Sequence, residues 1–124
     1  MSESKYKPGA IIISKCTNNT FIIEPENESG DKICSIILTP TNYALAISGK
    51  QVKADITIDG VVFENGNEGA LAISKSTDHI FYLEVTLPNN RELCQCVLTP
   101  EELAFAISGT HTNISVREYV TSLD

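Results

Sequence analysis

Leu38-Thr-Pro-Thr-Asn-Tyr-Ala-Leu-Ala-Ile-Ser-Gly49 returns later in the chain as Leu98-Thr-Pro-Glu-Glu-Leu-Ala-Phe-Ala-Ile-Ser-Gly109, at an offset of 60 residues. Ile13-Ser14-Lys15 returns as Ile73-Ser74-Lys75 at the same offset, as do Gly9/Gly69, Ala10/Ala70, Thr17/Thr77, Phe21/Phe81, Glu24/Glu84 and Cys34/Cys94. Residues 9–49 and 69–109 align without a gap and share 17 identities in 41 positions. This is a tandem duplication, and two copies are too few for a solenoid, in which at least about three stacked repeats are needed. The expectation is one compact pseudo-symmetric domain made of unit 1–63 and unit 64–124, paired about an approximate two-fold axis as a homodimer would be.

Each unit has the same local pattern. Ala10–Lys15 and Ala70–Lys75 are short, β-branched-rich runs, followed across a polar turn by Thr20–Glu24 and Ile80–Val85, which together predict a hairpin. A turn-rich loop leads to a third strand, Lys32–Leu38 or Glu92–Leu98, in which Cys34, Ile36 and Leu38, or Cys94, Cys96 and Leu98, share one face. That face is core. Thr39-Pro40 and Thr99-Pro100 read as an N-cap followed by proline in the first helical turn, with Glu102 completing a capping box in the second copy. Gly49 and Gly109 end the helix. Tyr43, Ala44 and Ile47, matched by Leu103, Ala104 and Ile107, form its apolar stripe. A closing strand follows, Asp55–Phe63 with a bend at Asp59-Gly60, or Asn113–Val120, and Phe63–Gly69 joins the units. The order β-β-β-α-β, twice, predicts an α+β fold: an antiparallel sheet with short helices packed on one side.

Composition narrows the function classes. The 124 residues are 42% hydrophobic and 20% charged, with a mean hydropathy of -0.01, a globular balance. No run reaches the roughly 18 apolar residues that span a bilayer, and Met1–Pro8 has no secretory apolar stretch. The cytoplasm is the expected compartment, with no membrane partner. A net charge of -7 and a pI near 4.7 argue against binding the nucleic-acid backbone and fit a basic partner surface or no charged partner at all. The cysteines Cys16, Cys34, Cys94 and Cys96 read as reduced thiols.

Catalytic chemistry is sparse. The only histidines, His79 and His111, have Asn19 and Gln51 as their counterparts, so a duplicated nucleophile–base site would lack its base in one copy. Cys94-x-Cys96 lacks zinc-type spacing, and no GxGxxG or Walker pattern occurs. The expectation is a non-enzymatic chain without cofactor or metal. The candidate ligand-binding residues are Ser14, Lys15 and Thr17 with Ser74, Lys75 and Thr77. Two hydroxyls and an ammonium beside a turn suit a phosphate or carboxylate, and a two-fold would present the set twice, fitting a small two-fold nucleotide; the simpler alternative is a strand end whose hydroxyls satisfy the turn backbone and whose Lys guards an edge. Arg117 on the closing strand is a further ligand-binding candidate. The candidate partner-binding residues are the acidic Glu24, Glu26, Glu28, Asp31 and Glu84, whose simplest alternative role is a solvated face.

The Ile-Ser-Lys run, the acidic second strand and Leu-Thr-Pro-x-x-x-Ala-x-Ala-Ile-Ser-Gly resemble small phage- and prophage-encoded proteins that often carry one such unit; here the resemblance covers about 10–63 and 70–120. It implies a small accessory protein of an infected bacterial host's cytoplasm with a role in countering host defence. The expected function is stoichiometric binding that occludes a host defence protein or sequesters a small signalling nucleotide. A structural or assembly accessory without ligand is the alternative. An acidic nucleic-acid mimic ranks lower, because residues 1–60 carry seven acids against six bases while 61–124 carry nine against three. The duplication also leaves room for a homo-oligomer of pseudo-dimers.

Overall fold

The computed structural model describes residues 5–64 and 66–119. Ten elements run in order: β1 (Lys7–Lys15), β2 (Phe21–Glu26), β3 (Ser35–Leu38), α1 (Pro40–Ile47), β4 (Val52–Thr57), β5 (Glu68–Lys75), β6 (Phe81–Thr86), β7 (Glu92–Leu98), α2 (Pro100–Ile107) and β8 (Thr112–Glu118). The eight strands close into one antiparallel barrel in sequence order.

Closure corrects the expected α+β sheet with helices on one side. The last strand of each repeat pairs with the first strand of the other: Lys53 lies opposite Ala70 at the β4–β5 seam, and Asn113 opposite Ala10 at the β8–β1 seam. Alternation along a strand reports which face is buried, and that pattern is the same for an open sheet covered by helices and for a barrel wall. The boundaries change too. The third strand of the first repeat is only Ser35–Leu38, with Lys32 held by a single bridge to Glu26. The closing strand starts earlier, at Val52, and ends at Thr57. Asp59-Gly60 lies in a turn beyond it, with Gly60 at φ 77°. Val120 falls outside the described residues.

In a closed antiparallel barrel of eight strands, strand n and strand n+4 lie on opposite sides, so the barrel axis is the approximate two-fold of the duplication. The middle layer shows it. Ile11 faces inward with Leu71, Ile23 with Leu83, Ile36 with Cys96 and Ile56 with Val116, each pair 60 residues apart and every member at most 3% exposed. One inward side chain per strand fills a barrel of this size, so the centre is core and not a lumen.

Both helices leave odd-numbered strands, so both lie at the same end of the barrel. Thr39 Oγ1 accepts from the Asn42 N–H at 3.1 Å, and Thr99 Oγ1 from the Glu102 N–H at 3.1 Å. In the second copy Glu102 returns the favour, accepting from the Thr99 N–H at 2.8 Å, which completes the capping box. At the far end the Gly49 N–H bonds the Ala46 carbonyl and the Lys50 N–H the Leu45 carbonyl, a Schellman closure that needs the positive φ of 101° at Gly49. Eight-residue helices are not stable alone. Burial holds them: Ala46 and Ala106 are fully covered, and Leu103 is 8% exposed. The Tyr43 ring stacks on Phe21 with centroids 3.9 Å apart and planes 9° from parallel.

Candidate functional site

The sequence-predicted ligand residues do not form one site. Lys15 and Lys75 end β1 and β5, which stand on opposite sides of the barrel, so the two Ser-Lys-x-Thr sets occupy separate stretches of the rim. Strand alternation also splits each set: Ser14 and Ser74 lie on the outer wall, while Lys15 and Lys75 follow the inward positions Ile13 and Ile73 to the barrel mouth. Each ammonium sits 5.9 Å from a ring centroid, Lys15 over Phe21 and Lys75 over Phe81, a cation–π contact repeated in both copies. Thr17 and Thr77 are exposed in the turns. Arg117 lies on the outer wall of β8, its guanidinium 4.5 Å from the Tyr119 ring centroid, and joins neither set.

The acidic candidates separate in the same way. Glu24 is committed within the wall: its carboxylate is 2.8 Å from the Lys32 ammonium and accepts from the Ser35 hydroxyl at 2.8 Å. The hydrogen bond from Lys32 holds the Glu24 carboxyl below its ordinary range, against the opposing effect of partial burial. Glu84, its counterpart, lies opposite Gln95, whose side-chain oxygen accepts from the Tyr6 hydroxyl. Glu28 and Asp31 are exposed in the β2–β3 loop, which Asn27 shapes by accepting from the Ser29 and Asp31 N–H groups at 3.0 Å each.

Glu26 belongs to an open groove of about 690 Å³ along the β8–β1 seam. Its floor includes Ala10, and Tyr6, Glu26, Glu28, Glu102, His111 and Asn113 stand around it. A small outward residue on β1 makes the depression, and long polar side chains on either side make the walls. His111 Nε2 lies 2.8 Å from Glu26 Oε1, linking the end of the α2–β8 connection to β2 of the other repeat. Glu26, Glu28 and Glu102 against the ammonium of Lys7 leave the groove acidic.

The other seam is built on the same backbone plan and differs in chemistry. Its equivalents of Ala10, Glu26 and His111 are Ala70, Thr86 and Gln51, which line a depression of about 160 Å³. Lys53, in the place of Asn113, reaches to 3.7 Å from Glu68, in the place of Pro8, so that this seam is crossed by an ion pair. A second depression of about 150 Å³, lined by Asn42 and Lys53 among others, lies beside it. The groove is therefore a feature of one seam on an otherwise repeated frame.

Tyr6, Lys7, Glu102, His111 and Asn113 are the groove residues that the sequence reading missed. The pairing of His111 with Gln51 at the repeat offset was the available signal. His79 has a conformational explanation: it sits at φ 65° where Asn19 sits at φ 69°, both in the left-handed position of the same hairpin turn. Among the described residues no three His, Cys, Asp or Glu side chains are arranged to hold a metal ion. Inside the barrel, Cys34 and Cys94 hydrogen-bond to each other, and Cys96 lies beside Cys94. The bond to Cys94, then burial, pushes the Cys34 thiol well above its ordinary pKa. At Cys94 the bond with Cys34 acts downward, but the Cys96 contact and burial outweigh it and raise this thiol as well. No described helix is long and apolar enough to cross a membrane. Comparison with protein-family models, curated proteins and solved structures finds no match in any of the three.

Proposed function

We propose that the chain is a non-enzymatic phage or mobile-element anti-defence protein that binds a host defence protein stoichiometrically, through the acidic groove of the β8–β1 seam. The observation that carries this reading is the contrast between the two seams. The duplicated frame keeps its inward positions apolar, yet one seam has an open groove with Glu26, Glu28, Glu102 and His111, while the other is crossed by Lys53 and Glu68. A filled barrel offers no enclosed ligand chamber, so its contacts with a partner are made on the outside. Carboxylates on both sides of an open trough suit Arg or Lys side chains of a protein segment, which pair with them by charge-assisted hydrogen bonds.

A second form of the proposal is sequestration of a small anionic nucleotide at Lys15 and Lys75. It draws support from the identical placement of the two ammonium groups, each 5.9 Å from its phenyl ring centroid. Plaque formation on bacterial strains that each carry one defence system tests both. The groove reading expects wild-type protein to restore plaques and Glu26→Lys/Glu28→Lys to fail, at unchanged expression and melting temperature. The nucleotide reading expects that failure from Lys15→Glu/Lys75→Glu instead.

A further inference from the structure

We infer that the helix-bearing end of the barrel is a homodimer interface, on which a second copy of this chain docks end to end. This end shares Glu102 with the groove wall, and its other charged and apolar residues named below lie outside the groove.

Three observations converge on it. First, the solvent sides of the helices are apolar. Phe105 is 55% exposed and Leu45, its counterpart, 36%. Ala46 and Ala106 face the barrel on the opposite sides of the same helices. Large apolar side chains are thus gathered at one end. Second, the charges around these helices are divided between the repeats. The first repeat contributes Lys15 and Lys50 there and no acid, because Asn18, Thr41 and Asn42 stand where the second repeat has Asp78, Glu101 and Glu102. The second repeat sets those three carboxylates against Lys75 alone. One half of the end is positive by two charges and the other half negative by two. A two-fold perpendicular to the barrel axis and directed along the boundary between the halves places the basic half of each copy on the acidic half of the other, with Phe105 and Leu45 on the facing ends. Third, the remaining surface disfavours other self-contacts. Every strand has two neighbours, so no edge is open to strand addition. The loops at the opposite end carry Glu28, Asp31, Asp59 and Glu64 against Lys32 and Arg91, with Lys5 and Lys7 beside Glu28, and show no such division between the repeats.

A specific interface needs about 1,000 Å² in total, or roughly 500 Å² from each copy. That is a small part of the 7330 Å² that each chain exposes.

Sedimentation velocity on the full chain tests this. The wild type is expected to be a concentration-dependent dimer that weakens as salt is added, because part of the attraction is between exposed charges. Phe105→Asp is expected to raise the dimer dissociation constant roughly thirtyfold or more, the size of a hot-spot loss. Lys50→Glu is expected to raise it about two- to fivefold, and Lys50→Glu/Glu101→Lys to restore much of the loss. Far-ultraviolet circular dichroism checks that these exposed-site variants keep their fold. A wild type that stays monomeric into the hundred-micromolar range overturns the inference, including the case in which the face binds a different protein. A dimer that survives Phe105→Asp unchanged also overturns it, since the interface must then lie elsewhere.

Discussion

Gly9 lies against Val116 across the β8–β1 seam so closely that a β-carbon built on it would come within 2.7 Å of Val116 Cγ2 and 2.5 Å of the Glu26 carbonyl oxygen. Gly69 repeats the relationship at the β4–β5 seam, with Ile56 Cγ1 at 2.7 Å. Neither glycine has a positive φ, so close approach and not backbone freedom is what excludes a side chain. Each repeat thus places a glycine where its first strand meets the last strand of the other, and an inward isoleucine or valine fills the space. Gly9→Ala and Gly69→Ala are each expected to destabilise by about 1–3 kcal/mol, the usual cost of overpacking. Urea denaturation measures it, and an unchanged midpoint would show that the seams are not closed as described.

These two glycines also mark how far the sequence could be read. The duplication, the helix caps at Thr39 and Thr99, the stops at Gly49 and Gly109, and the inward run Cys94, Cys96 and Leu98 follow from local rules. Closure does not, because β4–β5 and β8–β1 pairing is a relationship between repeats. Gly9 and Gly69 stand out at the repeat offset, yet only the neighbouring strand shows why a methyl group is excluded. The groove was partly legible. Glu26 and Glu28 were visible as an acidic loop, but Tyr6, Glu102 and His111 come to it from distant segments. Ser14, Lys15 and Thr17 stand out because the repeat keeps them as Ser74, Lys75 and Thr77, but that a strand sends Ser14 and Lys15 to opposite faces follows only once the strand's bounds are known.

Tyr43 has a buried hydroxyl with no hydrogen-bond partner among the described residues, and burial raises its pKa. The second copy has Leu103 at this position. Tyr43→Phe keeps the stack on Phe21 and removes the stranded hydroxyl, so it is expected to stabilise by about 1 kcal/mol. Thermal melting checks this, and a loss of stability would mean that the hydroxyl is satisfied.

Three of the four cysteines are buried, and Cys16 is only partly exposed. Native protein at mildly alkaline pH is expected to react with a thiol reagent at Cys16 alone, with Cys34, Cys94 and Cys96 reacting after denaturation. Rapid labelling of all four in the native state would contradict the filled interior.

Glu24 gives the pH dependence a sign. Its pKa is lower folded than unfolded, so the ionised carboxylate adds stability above the ordinary carboxylate range, and that contribution is lost as pH falls through the lowered value. Lys32 is half exposed, which keeps the effect small. Glu24→Gln is expected to cost a few tenths to about 1 kcal/mol at neutral pH. The difference from wild type should vanish in acid, once the carboxyl is protonated in both states. A gap that persists there would assign the effect to packing.

The most direct test of the account is a plaque assay that compares Glu26→Lys/Glu28→Lys with Lys15→Glu/Lys75→Glu, each expressed at matched levels in bacteria carrying single defence systems. The account predicts that wild-type protein and the rim variant restore phage growth in proportion to their amount, and that the groove variant does not. Full protection by the groove variant, or no protection by the wild type in any strain, would contradict it.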